Sequence, residues 1–276
     1  MITYTYNILN NEEIILMAGK TAVVFSCAHS DPAVSNERFD WLGDLIYDVK
    51  PDYVIDLGDG ADMRSLNSFD TVKAPKSFVS QSYQKDIECY NDAMERMRSK
   101  FKINKRKRPA YFGFEGNHET RIKRAIKMDP RLEGEKYGIS FSHLETNRWF
   151  DEYHEYEYDA PAIKDYDGVS YAHFFTNGYR PMSGVNHANG ILAKRFGSAT
   201  CGHSHKRDMK IRDDVHPYGA IGLVAGCYKG MAEQWAGQMN NEWWSGVVIK
   251  REIENGMYEP EFVSQERLKK IYGAKL

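Results

Sequence analysis

The chain has 276 residues, of which 42% are hydrophobic and 28% charged, with a formal net charge of −2. That length accommodates one large domain with a substantial core, and the composition excludes a disordered or fibrous chain. The near-neutral charge gives no global attraction to nucleic acid or acidic membranes, and no apolar run approaches the roughly 20 residues that a membrane helix needs.

The first predicted elements are a β-rich run from Thr21 to Ser26, a helix carrying Phe39, Leu42, Leu45, Ile46 and Val49 at helical spacing, and a second strand from Tyr53 to Leu57. A longer helix follows, from Tyr83 to Lys100, with Ile87, Tyr90, Met94 and Met97 along one side. Its end runs into a basic segment from Arg96 to Arg108, containing Arg98, Lys100, Lys102, Lys105, Arg106 and Lys107. This segment reads either as a solvated helix end or as a local contact for the phosphates of a nucleic-acid strand.

Pro109 to Phe114 reads as a third strand, and another helix starts at Glu119. The stretch from Arg131 to Asp159 fits neither period, and is either an insertion over a site or a surface for self-association. Within it Tyr153, Tyr156 and Tyr158 alternate with acids, as in a half-exposed strand. Such a strand covers core or stacks bases, and the acidic neighbours argue against nucleic acid.

The remaining strands are Val169 to Phe174, Ser198 to Cys201, Ile221 to Ala225 and Val247 to Ile249, with one strong helix between them from Val185 to Phe196. Strands alternating with helices early, and strands dominating late, predict a single α/β domain over residues 1–276, built as a layered sandwich with helices outside. The four cysteines, Cys27, Cys89, Cys201 and Cys227, form no C-x-x-C pair, and no signal segment opens the chain. A reduced, cytoplasmic protein is expected.

Nearly every predicted strand ends in a residue able to bind a metal. The ends are Cys27-Ala28-His29, Gly58-Asp59-Gly60, Gly116-Asn117-His118-Glu119, His173, and Gly202-His203-Ser204-His205. Ligands gather at the carboxyl ends of strands in α/β sheets, so these separate segments converge on one crevice and build a two-metal site. A carboxylate, imidazoles and an amide oxygen suit borderline divalent metals, and the flanking glycines permit tight turns.

In order and strand placement these residues resemble the calcineurin-like metallophosphoesterase superfamily, whose pattern is D-x-H, G-D, G-N-H-D/E, a lone His and G-H-x-H. The resemblance runs from about Val23 to His205, and Gly226-Cys227-Tyr228 with Trp243-Trp244-Ser245-Gly246 is similar to the tail of the phage and prophage branch. It implies that His29 and His205 bind one divalent metal, that Asn117, His173 and His203 bind the other, and that Asp59 bridges them. It further implies hydrolysis of a phosphomonoester or phosphodiester by a metal-bridging hydroxide, with His118 protonating the leaving oxygen. A phage origin would place the protein in the host cytoplasm.

One position departs from the pattern: the first aspartate is Cys27. Cys27 and His29 lie two residues apart, where alternate side chains share a face, so Cys27 is taken as a ligand. Among manganese, iron and zinc, a thiolate favours zinc or iron. Otherwise Cys27 is a spectator and Asp31 reaches in. Arg121 is the candidate substrate-binding residue, with Arg124 behind it, and both also fit a solvated helix face. Glu119 reads as a first-turn helix charge rather than a partner of a ligand. His143, His154, His187 and His216 are expected to be structural. The rival to an enzyme is a non-catalytic, metal-stabilised protein that binds phosphate or nucleic acid.

Overall fold

The computed structural model describes residues 19–67, 82–104, 107–213, 217–230 and 234–273. Its elements form a mixed α/β architecture. One sheet contains β1 (Lys20–Phe25), β2 (Tyr53–Asp56), β3 (Ala110–Phe114), β4 (Glu152–His154), β12 (Gly246–Glu254) and β13 (Met257–Ser264), in the order β13-β12-β1-β2-β3-β4. β1 to β4 run parallel, while β12 and β13 are antiparallel additions at one edge. A second sheet has the order β10-β11-β9-β6-β5, from β5 (Lys164–Tyr166), β6 (Val169–Ala172), β9 (Ala199–Cys201), β10 (Arg207–Arg212) and β11 (Ala220–Ala225). Its inner strands β6, β9 and β11 are parallel and its edges antiparallel. A small hairpin of β7 (Thr176–Asn177) and β8 (Arg180–Pro181) follows β6.

The two-residue period of the strands sorts side chains between apolar clusters. Val23 and Phe25 of β1, with Val54 of β2, pack on α1 (Glu37–Val49) and α2 (Tyr83–Asn104) through Phe39, Leu42, Tyr90, Met94 and Met97. Ala22, Val24 and Ile55 point the other way and join Val169, Tyr171, Ile221 and Leu223 of the second sheet. The far face of that sheet packs Ala172, Ala199, Cys201 and Val224 against Ala188 and Ile191 of a helix over His187–Arg195. Among the described residues no helix is long and apolar enough to cross a membrane.

The early strands and helices fall where the periodicity puts them, within a few residues at each end. The helix after β3, α3, spans Thr120–Met128 with Glu119 as its N-cap. Among the elements that escape the sequence reading are two strands, β10 and β13, and a terminal helix over Gln265–Tyr272. The two strands are charged edge strands, and Pro260 within β13 suits an edge that needs no complete ladder.

The stretch 131–159 is not one insertion. Its second half enters the body of the molecule: Trp149 and Phe150 are buried, the Trp149 indole donates to Asn91 Oδ1 at 2.8 Å, and β4 extends the first sheet. Tyr153 packs on that core, whereas Tyr158 is fully exposed.

The basic segment is largely neutralised where it is described. Arg96 bonds Asp40 and Asp92, Lys100 pairs with Asp44, Lys102 with Glu95, and Arg108 with Asp151. Arg98 donates to the carbonyls of Arg148 and Trp149 and lies over the Tyr111 ring. Lys105 and Arg106 lie outside the described residues, as does His216. The solvated-helix reading therefore fits the segment better than a phosphate contact.

Between the sheets lies Lys250, which is 0% exposed. Its Nζ donates to Thr200 Oγ1 at 2.6 Å and to the Tyr171 hydroxyl at 3.2 Å, over the Tyr171 and Tyr258 rings, with no carboxylate among these partners. Burial drives its pKa well below the usual lysine value. The unfolded chain, titrating at about 10.4, therefore binds more protons than the folded one below that pH. Folding stability is fully present above about 10.4 and declines as pH falls toward the depressed value. Lys250→Met removes that penalty, so thermal denaturation should show its melting temperature rising relative to the parent as pH is lowered from 9 to 6. A difference that stays constant across that range would show that Lys250 keeps its charge in the folded protein.

Candidate metal centre

Strand ends deliver the candidate ligands. Cys27 and His29 follow β1, Asp59 follows β2, Asn117 and His118 follow β3, His173 follows β6, and His203 and His205 follow β9. Backbone bonds carry the parallel pairing past the strands: Cys27 N–H donates to Gly58 O and His29 N–H to Asp59 O, both at 2.9 Å. Gly202 N–H reaches His173 O at 3.0 Å, and Trp244 N–H reaches His205 O at 2.9 Å.

Five of the candidate ligands occupy the left-handed region that L-residues seldom adopt: Cys27 (φ 49°), His29 (44°), Asp59 (56°), His203 (64°) and His205 (59°). Backbone strain of this kind persists only where surrounding structure enforces it, and it concentrates at functional sites. The glycines serve another purpose than the expected turn flexibility at two positions. A Cβ at Gly116 would overlap the Asp59 carboxylate, and one at Gly202 would overlap the Ser26 hydroxyl. These glycines allow close approach of neighbouring segments.

The ring nitrogens converge in two groups. His29 Nε2 lies 3.1 Å from His205 Nε2. His173 Nε2 lies 3.1 Å from Asn117 Oδ1, 3.2 Å from His203 Nδ1 and 3.3 Å from Asp59 Oδ2. The outer nitrogens assign the tautomers: His29 Nδ1–H donates to Asp62 Oδ1 at 2.8 Å and His173 Nδ1–H donates to Leu57 O at 2.8 Å. The inner His29 Nε2 then presents a lone pair toward His205, while burial works against the His173 charge but Asp59 raises its pKa, favouring a proton on Nε2 facing that carboxylate when no cation is bound. Metal–ligand bonds of about 2.1 Å at right or tetrahedral angles separate ligand atoms by roughly 3.0–3.4 Å, the spacing these groups adopt.

Cys27 Sγ joins both groups. It lies within 4.8 Å of ligand atoms of His29 and His205, and within the same distance of those of Asp59 and His173. The sulfur accepts the His203 backbone N–H at 3.2 Å and lies 3.0 Å from the Ser26 hydroxyl. The donor set could therefore hold a metal ion, with Cys27, His29 and His205 on one side, Asn117, His173 and His203 on the other, and Asp59 beside both. Asp31 is not part of it, being held by Arg64 and by the Ala33 backbone.

Electrostatics match that assignment. Burial holds His29 down to about 3 and His203 to about 4, and pushes His205 well below its ordinary value, so all three are neutral and able to ligate. Burial works against the Asp59 charge, yet the imidazoles of His173, His118 and His29 hold its carboxyl well below the usual carboxylate range. Burial, and then Asp59, push the Cys27 thiol well above its ordinary value, so without a cation the sulfur is protonated.

Two acids acquire roles that the sequence reading missed or misjudged. Asp62 accepts from His29 and approaches His118 Nδ1 at 3.1 Å, linking a ligand to the expected proton donor. Its only sequence signal is its place three residues after Asp59. Glu119, expected as a helix-end charge, is instead buried and accepts from the backbone N–H groups of Asp59, Ala61 and Gly116. Burial and Asp59 raise it to about 7. Glu119 therefore ties the turns after β2 and β3 together beneath the ligands.

His118 sits at the rim, its Nδ1–H donated to Asp62 O at 2.8 Å and its Nε2 3.1 Å from an Arg121 guanidinium nitrogen. Arg121 also donates to Asp62 O, while Arg124 is exposed. Arg38, almost wholly buried, donates to the carbonyls of Ser35, Ala28 and Tyr228 and thus joins the turn after β1 to the one after β11. His143 and His154 bond tyrosine hydroxyls remote from the ligands, as expected of structural histidines. His187 approaches Ser204 Oγ at 3.4 Å and Cys201 Sγ at 3.9 Å, behind the His203–His205 turn.

No protein-family model and no curated protein matches the chain. The case for a metal centre consequently rests on this geometry. Partners that orient ligand histidines typically set metal affinity by about 10- to 100-fold. Asp62→Asn should weaken binding of zinc by about that factor in a competition titration with a chromogenic chelator, leaving the circular dichroism spectrum in place. Undiminished affinity would remove Asp62 from the ligand-orienting role.

Proposed function

We propose that the protein is a dinuclear metal-dependent phosphoesterase of the calcineurin-like type, hydrolysing a phosphodiester or phosphomonoester. The observation that carries this reading is the pair of candidate-ligand groups flanking Asp59, with His118 and Arg121 at their rim. The apolar cluster shared by the two sheets, with helices packed on their outer faces, supports the layered sandwich expected for that superfamily. The resemblance of Gly226 to Tyr228 and Trp243 to Gly246 to the phage and prophage branch favours action in a bacterial host cytoplasm.

When bound, two divalent cations supply Lewis acidity toward the phosphate and lower the pKa of water. Asp59, positioned by Glu119 and by the His118 backbone N–H, spans the two halves of the ligand set. His118 in its protonated form keeps Nδ1–H on Asp62 and directs Nε2–H to the rim, where it protonates the leaving oxygen. Arg121, beside that nitrogen, offers its planar fork to the phosphate. Cys27 supplies a soft donor, which favours zinc or iron on the His29 and His205 side.

Metal analysis by mass spectrometry, paired with hydrolysis of bis-p-nitrophenyl phosphate after loading with manganese, zinc or iron, tests this reading. Close to two metals per chain with turnover is expected; one metal and no turnover with any of the three would favour a binding protein instead. Asp59→Asn and His118→Ala should each remove most turnover, the latter by about 10²–10⁴-fold. Only Asp59→Asn should also lower metal content, and equal metal loss in both would overturn the assigned roles.

A further inference from the structure

Two aromatic doublets, Phe174-Phe175 and Trp243-Trp244, are divided between the core and the metal centre. Phe175 is buried in the cluster behind the second sheet, and Trp244 packs against the cluster between the sheets. Their partners Phe174 and Trp243 join none of the three apolar clusters and are partly exposed. They lie instead on candidate ligands. Phe174 has its ring centroid 4.9 Å from that of His203 and 5.6 Å from that of His173. Trp243 stands edge to face with His205, with centroids 4.5 Å apart.

These histidines belong to opposite halves of the ligand set, so the two aromatic rings bracket the centre. Asn117, His118 and Arg121, grouped with the same histidines, are also partly exposed and form the rim. Large aromatic side chains left outside the core, and set beside a cationic rim, are the elements from which proteins build stacking platforms for planar groups on phosphates. Each ring touches a candidate ligand and remains partly exposed.

We infer that Phe174 and Trp243 are specificity residues that stack planar substituents of the substrate, so that the preferred substrate is a phosphodiester bearing a nucleobase. This rests on the phosphoesterase reading and narrows its substrate class. The basic segment around α2, being paired with its own acids, does not supply such selectivity.

A matched pair of diesters tests the inference: the p-nitrophenyl ester of thymidine 5′-monophosphate and methyl p-nitrophenyl phosphate, which share a leaving group and differ in the base. The parent protein should prefer the thymidine ester in kcat/KM. Phe174→Ala and Trp243→Ala should each reduce that preference by about tenfold, the scale of one lost base–aromatic stack, with the change in KM. An unaltered ratio, or equal losses on both esters together with reduced metal content, would make the rings supports for the histidines and overturn the inference. If neither ester turns over with any metal, the phosphoesterase reading fails on its own. Calorimetric binding of thymidine 5′-monophosphate against methyl phosphate to the metal-loaded protein and both variants then decides the stacking question by the same ratio.

Discussion

Burying a carboxylate costs several kcal/mol unless neighbouring groups compensate for the water it loses. Asp59 is 1% exposed, and among the described residues its carboxylate meets the imidazoles of His29 and His173 and the backbone N–H of His118. Much of the local architecture follows from accommodating that one charge. Gly116 must lack a side chain for the turn after β3 to pass the carboxylate, Glu119 must reach back across three N–H groups, and His173 must be fixed from behind by Leu57. The same groups that compensate the charge are those able to share a cation with it.

Beneath this centre a second acid pair repeats the problem in milder form. Asp56, at the end of β2, is raised to about 8 by burial and by Glu119, while Glu119 itself is raised by burial and by Asp59. Three carboxyl groups thus stand in sequence from the sheet to the ligand turn, and only the outermost is held firmly ionised. Keeping the inner members protonated for part of the time concentrates the negative charge of the group where the imidazoles converge.

The convergence of the candidate ligands was legible in the sequence because it requires little tertiary knowledge: parallel strands that end in His, Asp or Asn must bring those residues to one edge. Cys27, His29, Asp59, Asn117, His173, His203 and His205 all gather there. What a chain read alone does not reveal is which neighbours orient the ligands. Asp62 looks like any acid in a turn, and Glu119 looks like a helix-end charge, because their partners are contributed by other strands. The fold was legible to a similar depth. Strands buried on both faces announce themselves as apolar runs, whereas β10 and β13, charged edge strands, carry too weak a period to be seen. Lys250 was invisible for the opposite reason: a lysine within a strand ordinarily marks an exposed face, and here it sits between two sheets.

The left-handed backbone at Cys27, His29, Asp59, His203 and His205 separates the shape of the centre from its chemistry. Each of these side chains is aimed by the main-chain turn beneath it, and those turns are fixed largely by backbone hydrogen bonds between segments, joined by Glu119 at Asp59 and by Cys27 Sγ at His203. A cysteine can therefore stand where a carboxylate would serve without displacing its neighbours. The scaffold behaves as a socket with interchangeable pins, in which a single codon resets the hardness of one contact while the spacing of all the others is preserved.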